Sequence, residues 1–242
     1  MKTKPYLRQI VFERDDVPNL DAYPFNIPAL KALDTLDFHA DVTFLIGENG
    51  SGKSTLIEAI ARTMGFGPEG GTKNVKLETA DTVSSLHRYL RPVRGVRAPR
   101  DGYFLRAESF YNVATYMDEV GYLGGYGDLS LHQRSHGEAF MAVLTEKLAG
   151  KGFYILDEPE AALSPMRQLA ALTAIDGLVR DGSQFVIATH SPILLAYPRA
   201  QILALGPDGI APVQYEDTEH YVITRRFLND HERMLEQLLD GE

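Results

Sequence analysis

The segment Gly47-Glu48-Asn49-Gly50-Ser51-Gly52-Lys53-Ser54 constrains this chain more than any other, because it joins an apolar run, Val42 to Ile46, to a stretch of helical periodicity. Leu56, Ile57, Ile60, Ala61 and Met64 recur at three-and-four spacing, which predicts one buried helical face immediately after the turn. Glycines let backbone N–H groups turn inward where a Cβ would collide, at the positive end of the helix. This is the P-loop pattern in the strand-to-helix context it requires. Gly47, Glu48, Asn49, Gly50, Ser51, Gly52, Lys53, Ser54 and Thr55 are therefore the expected cradle for phosphate groups. Lys53 is expected across the β- and γ-phosphates as a point charge, and the Ser54 hydroxyl on Mg²⁺.

Two further apolar runs end in reactive side chains. Phe153 to Leu156 leads into Asp157-Glu158-Pro159-Glu160, and carboxylates at the tip of a core strand need a reason. Beside a phosphate cradle, Asp157 would hold Mg²⁺ through water and Glu158 would polarise the water that attacks the γ-phosphate. Glu160 lies one residue too far along to share that role. The third run, Gln184 to Thr189, ends in His190-Ser191-Pro192. Parallel sheets bind ligands at the carboxyl ends of their strands, which places His190 to hydrogen-bond the γ-phosphate or the attacking water. Lys53, Glu158 and His190 are thus the expected catalytic groups, and Ser54 and Asp157 the expected metal ligands.

Composition limits the rest. At 242 residues the chain suits one sizeable core, and its lack of cysteine removes disulfides, thiolate metal sites and cysteine nucleophiles. No run of eighteen apolar residues occurs, and the start MKTKPYLRQIVFERDD lacks the apolar stretch of a secretory signal, so a cytoplasmic location without membrane insertion is expected. The formal charge of −9 argues against a surface that grips nucleic acid indiscriminately. Strands alternating with helices predict an α/β fold with a mostly parallel central sheet flanked by helices, preceded by an N-terminal antiparallel β portion. Residues 1–242 are expected to form a single domain. Gly65, Gly67, Pro68, Gly70 and Gly71 break the helical pattern and open a small helical or mixed lobe inserted at about 66–130. A charged, amphipathic ending at about 218–240, with Phe227, Leu228, Met234, Leu235, Leu238 and Leu239 as its apolar stripe, is expected to pack on the domain as closing helices.

Together these motifs resemble the ATP-binding-cassette ATPases. Beyond the P-loop, the resemblance rests on Ser135-His136-Gly137-Glu138, similar to the family signature usually written LSGGQ, and on the order P-loop, signature, Asp-Glu strand, histidine. It implies ATP as the nucleotide, with Mg²⁺, and an ATP-dependent homodimer in which the signature of one copy faces the P-loop of the other. Ser135 and the amides of Gly137 and Glu138 would then meet the γ-phosphate across the interface. Within the family the chain most resembles single-domain bacterial ATPases, heads of the SMC or OLD type without a coiled coil. Transporter cassettes carry a metal-contacting glutamine between P-loop and signature, whereas Gln133, beside the signature, is the one glutamine in that interval here. Ser164 stands where the following loop usually ends in aspartate, and His136 replaces a small residue. The stretch Phe104 to Asn112 takes the place of the glutamine loop, and from it Arg106 or Glu108 would either approach the γ-phosphate and metal or form an internal salt bridge. For the base, Tyr23 and Phe25 are open between stacking and core packing.

Arg88, Arg91, Arg94, Arg97 and Arg100 recur every third residue around Pro92, Gly95 and Pro99. In an extended segment they would form a phosphate-binding strip; as a solvated loop they would bind nothing, and the second reading is preferred. Three functions follow in order: ATP hydrolysis coupled to an unknown partner protein, a nucleic-acid-engaging repair or defence ATPase using Arg88–Arg100, and, last, the nucleotide-binding subunit of a transporter.

Overall fold

The computed structural model describes residues 4–74, 84–119 and 134–239. Gln133, and the parts of the expected lobe at 75–83 and 120–130, lie outside the described residues.

Among the described residues, nine strands form two sheets. The strands are β1 (Leu7–Phe12), β2 (Thr35–Asp37), β3 (Val42–Ile46), β4 (Leu90–Arg94), β5 (Asp101–Arg106), β6 (Gly152–Asp157), β7 (Gln184–Ala188), β8 (Ala200–Gly206) and β9 (Gly209–Val213). The smaller sheet is antiparallel, in the order β2-β1-β4. The larger has the order β5-β6-β7-β3-β8-β9 and is parallel throughout except for β9, which returns antiparallel on β8. Every residue of β3, β6 and β7 is buried, which is why these strands read as unbroken apolar runs and not as alternation.

The helices are α1 (Pro28–Lys31), α2 (Lys53–Thr63), α3 (Phe110–Glu119), α4 (His136–Ala142), α5 (Pro165–Arg180), α6 (Pro192–Leu195), α7 (Glu219–Asn229) and α8 (His231–Leu239). A π-helical turn, Val143–Lys147, continues directly from α4. One core cluster joins the large sheet to α4 and α5 through Phe140, Val143, Ile175 and Val179. The other joins it to α2 and the small sheet through Ile57, Ile60, Leu7 and Ile10. Each such side chain contributes roughly 1.5–3 kcal/mol by leaving water. Gln184 clamps the two sheets: its Oε1 accepts from the amides of Tyr6 and Leu7, and its Nε2 donates to the carbonyls of Leu7 and His39. A buried amide with that many partners fixes one relative placement of the layers.

Two regions differ from expectation. Residues 90–106, assigned by sequence to the inserted lobe, supply β4 to the small sheet and β5 to the edge of the large one. The arginine-rich segment alternates too irregularly to read as a strand, yet Val11, Ile10 and Phe12 of β1 provide a partner ladder for it. The second difference concerns the closing helices. They form, but none of their residues is buried, and Val222, Ile223, Leu228, Leu238 and Leu239 stay largely in water. The amphipathic pattern specifies helices without specifying what covers them.

Candidate active site

β3 ends at Ile46 and the chain turns through Gly47–Gly52 into α2. Two glycines are required by geometry. At Gly47 a Cβ would lie 2.6 Å from the Leu205 carbonyl and 2.7 Å from Ser51 Oγ, and at Gly52 it would lie 2.9 Å from Ile27. Gly52 also has φ +97°, a conformation open to glycine and strained for other residues. The turn leaves the first amides of α2 without intrahelical acceptors, pointing outward at the positive helix end. Lys53 folds back beneath the loop, its Nζ 2.8 Å from the Gly47 carbonyl and 2.9 Å from that of Glu48. Burial lowers the Lys53 pKa, opposed by the nearby charges of Glu158, Asp157 and Glu160.

Those acids stand at the end of β6, two strands away across β7. Asp157 is 4% exposed, and burial pushes its pKa up to about 7, against the pull of Arg106. Arg106, at the end of β5, sits 3.4 Å from Asp157 Oδ2, 3.1 Å from Glu58 and 3.5 Å from Glu108. The two alternatives for Arg106 thus resolve to an ion-pair network, centred on the expected metal ligand. Asp157 Oδ1 and Ser51 Oγ are buried with no hydrogen-bond partner. Buried orphans of this kind demand an explanation, and a polyanion with its divalent metal supplies one: an acceptor for the Ser51 hydroxyl and a cation for Asp157. The residues present therefore fit Mg²⁺ and a nucleotide.

Glu158 adopts the left-handed conformation, φ +51°, rare for a non-glycine residue, and its amide is held by the Ala188 carbonyl at 2.9 Å. The strained turn swings its side chain out of the sheet towards His190, whose Nε2 is 3.9 Å away. His190 follows β7, and its placement involves residues to which sequence reasoning assigns no role. Glu160, set aside as too distant for catalysis, accepts hydrogen bonds from the Thr189 hydroxyl at 2.7 Å and from the His190 amide. Gln168 of α5 accepts from the Ser191 hydroxyl and donates to the Leu163 carbonyl, tying the loop after Glu158 to the loop after His190. His220 of α7 faces His190, with 3.1 Å between His220 Nε2 and His190 Nδ1. Glu160 belongs to the Asp157–Glu160 run and His220 to the stretch Glu219-His220-Tyr221-x-x-Thr224, part of the family resemblance with no role attached, while Gln168 carries no motif.

The signature residues lie at the start of α4. Ser135 caps the helix and shares a reciprocal box with Glu138, whose carboxylate accepts from the Ser135 amide at 2.9 Å. Arg167 of α5 reaches both, at 3.2 Å from Ser135 Oγ and 3.1 Å from Glu138 Oε1. Gly137 is buried, and a Cβ there would meet Arg167 and the Ala162 carbonyl, so a glycine is needed for this contact between α4 and α5. His136 and Ser164 are both exposed. Of the two upstream aromatics, Phe25 is core, stacked on Phe12, while Tyr23 is 64% exposed with its hydroxyl 3.3 Å from Thr55 Oγ1.

A cavity of about 800 Å³ opens beside Gly47–Ser51 and runs between the end of β8 and the first turns of α7, with His190 and His220 in its wall. Among the described residues, no helix is long and apolar enough to cross a membrane.

Comparison with known proteins agrees with this geometry. A family model described as an AAA domain matches residues 26–89. The hemin import ATP-binding protein HmuV of Pseudomonas fluorescens is 25% identical over 209 residues, spanning 78% of this chain and 82% of that protein. An energy-coupling factor transporter ATP-binding protein of Methanospirillum hungatei is 27% identical over 209 residues, 78% of this chain and 51% of that protein. Among solved structures, cbiO1 from Clostridium perfringens, part of the ABC transporter complex cbiONQ, aligns with a TM-score of 0.50 at 18% identity over 94% of this chain and 97% of that one, a likeness of fold. Motif order, strand placement and relatives converge, and the chain is a P-loop ATPase of the ATP-binding-cassette type, built to bind and hydrolyse ATP with Mg²⁺.

Proposed function

We propose that hydrolysis takes place between the Gly47–Thr55 loop and the tips of β6 and β7, at a site completed by a second copy of the chain, and that it drives a partner protein. The observation that carries this reading is the grouping of Lys53, Asp157, Glu158 and His190 at one edge of a parallel sheet, with buried polar atoms left unpartnered there. The loop amides and Lys53 bind the phosphates, Lys53 exchanging the Gly47 and Glu48 carbonyls for phosphate oxygens. Ser54 and Asp157 are the residues that would hold Mg²⁺, which when bound neutralises charge on the β- and γ-phosphate oxygens. Glu158 orients the attacking water and accepts its proton, and His190 donates from Nε2 towards the γ-phosphate. Exposed Tyr23, beside Thr55, offers a face on which adenine stacks.

The second copy enters through the signature. Ser135 and Glu138 are exposed, as are Met166 and Leu169 of the adjoining α5, 74% and 49% in water. An exposed cap with neighbouring apolar side chains suits closure over another molecule's phosphates better than a solvated surface. The relatives named for import place transport among the alternatives. Arg106, where such cassettes carry glutamine, sits on Asp157 and weighs towards a different partner. The nucleic-acid reading loses ground because Arg91 pairs with Glu13 and Arg94 donates to the Thr63 carbonyl.

Glu158→Gln tests the proposal. It should retain ATP binding, lower turnover about 100-fold to 1,000-fold, and shift from monomer to dimer on size exclusion when Mg-ATP is present. Fast turnover in this variant would assign water activation to another residue, and a monomer under every condition would remove the second copy.

A further inference from the structure

We infer that His220, on the first turn of α7, is a positioning residue that sets the tautomer and orientation of His190. The inference rests on the role given to His190 above. Two neutral imidazoles 3.1 Å apart share one proton between His190 Nδ1 and His220 Nε2, so the tautomer of one ring dictates that of the other. If His220 Nε2 donates, the His190 proton sits on Nε2, the nitrogen facing Glu158 and the phosphate site. If His190 Nδ1 donates, His190 Nε2 is left as an acceptor and repels a phosphate oxygen.

The surroundings choose between them. His220 Nδ1 is buried and has no partner. His190 Nε2 is buried without a partner too, so each arrangement leaves one unpaired N–H: in the first it is at His190 Nε2, facing Glu158 and the phosphate site where a phosphate oxygen can accept it, and in the second it is at His220 Nδ1, which has nothing to donate to. Burial, and after it the proximity of His190 and Lys53, also lowers the His220 pKa against the opposing pull of Glu219, and a lowered pKa favours the neutral ring.

The chain builds this contact deliberately. Thr218 is 2% exposed and caps α7, accepting from the Tyr221 amide and donating to the Tyr215 carbonyl at 2.7 Å. Tyr215 in turn donates to the Pro192 carbonyl at 2.9 Å, just past His190. These bonds fasten the first turn of α7 to the His190 loop, while the rest of α7 and all of α8 run on without a buried residue.

The test compares steady-state ATP hydrolysis, nucleotide affinity and melting temperature for the full chain and for His220→Ala, His220→Gln and His190→Ala. His220→Ala should lower kcat about tenfold with the KM for ATP within twofold, and His220→Gln, whose amide N–H can donate to His190 Nδ1, should recover at least half of the loss. Wild-type kcat in His220→Ala alongside an inactive His190→Ala would overturn the inference and leave the hydrolytic site as assigned. A loss in His220→Gln equal to that in His220→Ala would also overturn it, since shape and not proton donation would then be at issue. Wild-type turnover in His190→Ala would strike down the underlying role of His190, a separate failure.

Discussion

Around the tips of β3, β6 and β7 the protein buries polar atoms that lack partners, whereas along α7 and α8 it leaves apolar side chains in water. Both arrangements run against what a fold does for its own stability. The difference lies in what would relieve each. Ser51 Oγ and Asp157 Oδ1 are fixed by strands on either side and await charge and hydrogen bonds at defined points, the requirements of a small polar ligand. The exposed face of Leu228, Leu235, Leu238 and Leu239 has no such fixed points. Polar and buried on one side, apolar and exposed on the other, the two regions divide the molecule into a chemical part and a part that the fold's own energetics leave uncommitted.

The sharpest way to break this contrast is Lys53→Ala. Lys53 is 5% exposed, and burial lowers its pKa, so in the free protein the cost of desolvating its charge works against its hydrogen bonds to the Gly47 and Glu48 carbonyls. A charge-assisted contact to phosphate is worth about 1.5–3 kcal/mol, and more than one is lost. ATP affinity should fall by roughly two orders of magnitude or more, with the melting temperature of the nucleotide-free protein almost unchanged, as read by calorimetric titration and thermal denaturation. A large loss of melting temperature would mean that Lys53 holds the loop together through Gly47 and Glu48, and that the site is not destabilised in favour of ligand.

How much of this was legible beforehand follows the same division. β3, β6 and β7 are buried on both faces, so their sequences are continuous apolar runs whose ends are obvious, and the residues just beyond, Lys53, Asp157, Glu158 and His190, could be named from chain order alone. β4 was not legible, because Leu90, Arg91, Pro92, Val93 and Arg94 depend on β1 for their pairing and carry no pattern of their own. His220 stands in the stretch Glu219-His220-Tyr221, which shares in the family resemblance, but its role was not legible for a related reason: a histidine in an amphipathic helix acquires meaning only when Thr218 and Tyr215 dock that helix beside His190. Periodicity predicted the closing helices but not their exposure, since an apolar stripe states what a helix needs without stating where it is met.

A second measurement probes the cost of the polar rim. With a pKa raised from 3.8 to about 7, Asp157 binds a proton in the folded state over a range where the unfolded chain has lost it. The contribution of Asp157 to folded-state stability is therefore highest below about pH 4, falls as pH rises through the window to 7, and is lowest above it. Three units correspond to roughly 4 kcal/mol at most, and the loss of the Arg106 partner in Asp157→Asn offsets part of that. At pH 8 without nucleotide, Asp157→Asn should be more stable than the natural chain by about 2 kcal/mol, the difference shrinking as pH is lowered to 5, while Mg²⁺-dependent hydrolysis drops sharply. Denaturant melts at a series of pH values check it; a constant difference would show that desolvation of Asp157 is not what the fold bears.

The smallest expected effect belongs to the helix pair. Leu228 and Leu238 are 71% and 68% exposed, so little apolar area is removed from water by folding at either position. Substitution of such residues ordinarily changes stability by less than about 0.5 kcal/mol, against 2–5 kcal/mol for truncating a leucine in the core. Leu228→Gln and Leu238→Gln, singly or together, should accordingly leave the denaturant midpoint and the hydrolysis rate of the isolated protein where they are. A loss above 1 kcal/mol in either would mean that α7 and α8 are covered in solution by something absent from the single chain, and a loss that grows on dilution would identify the cover as another copy of the same helices.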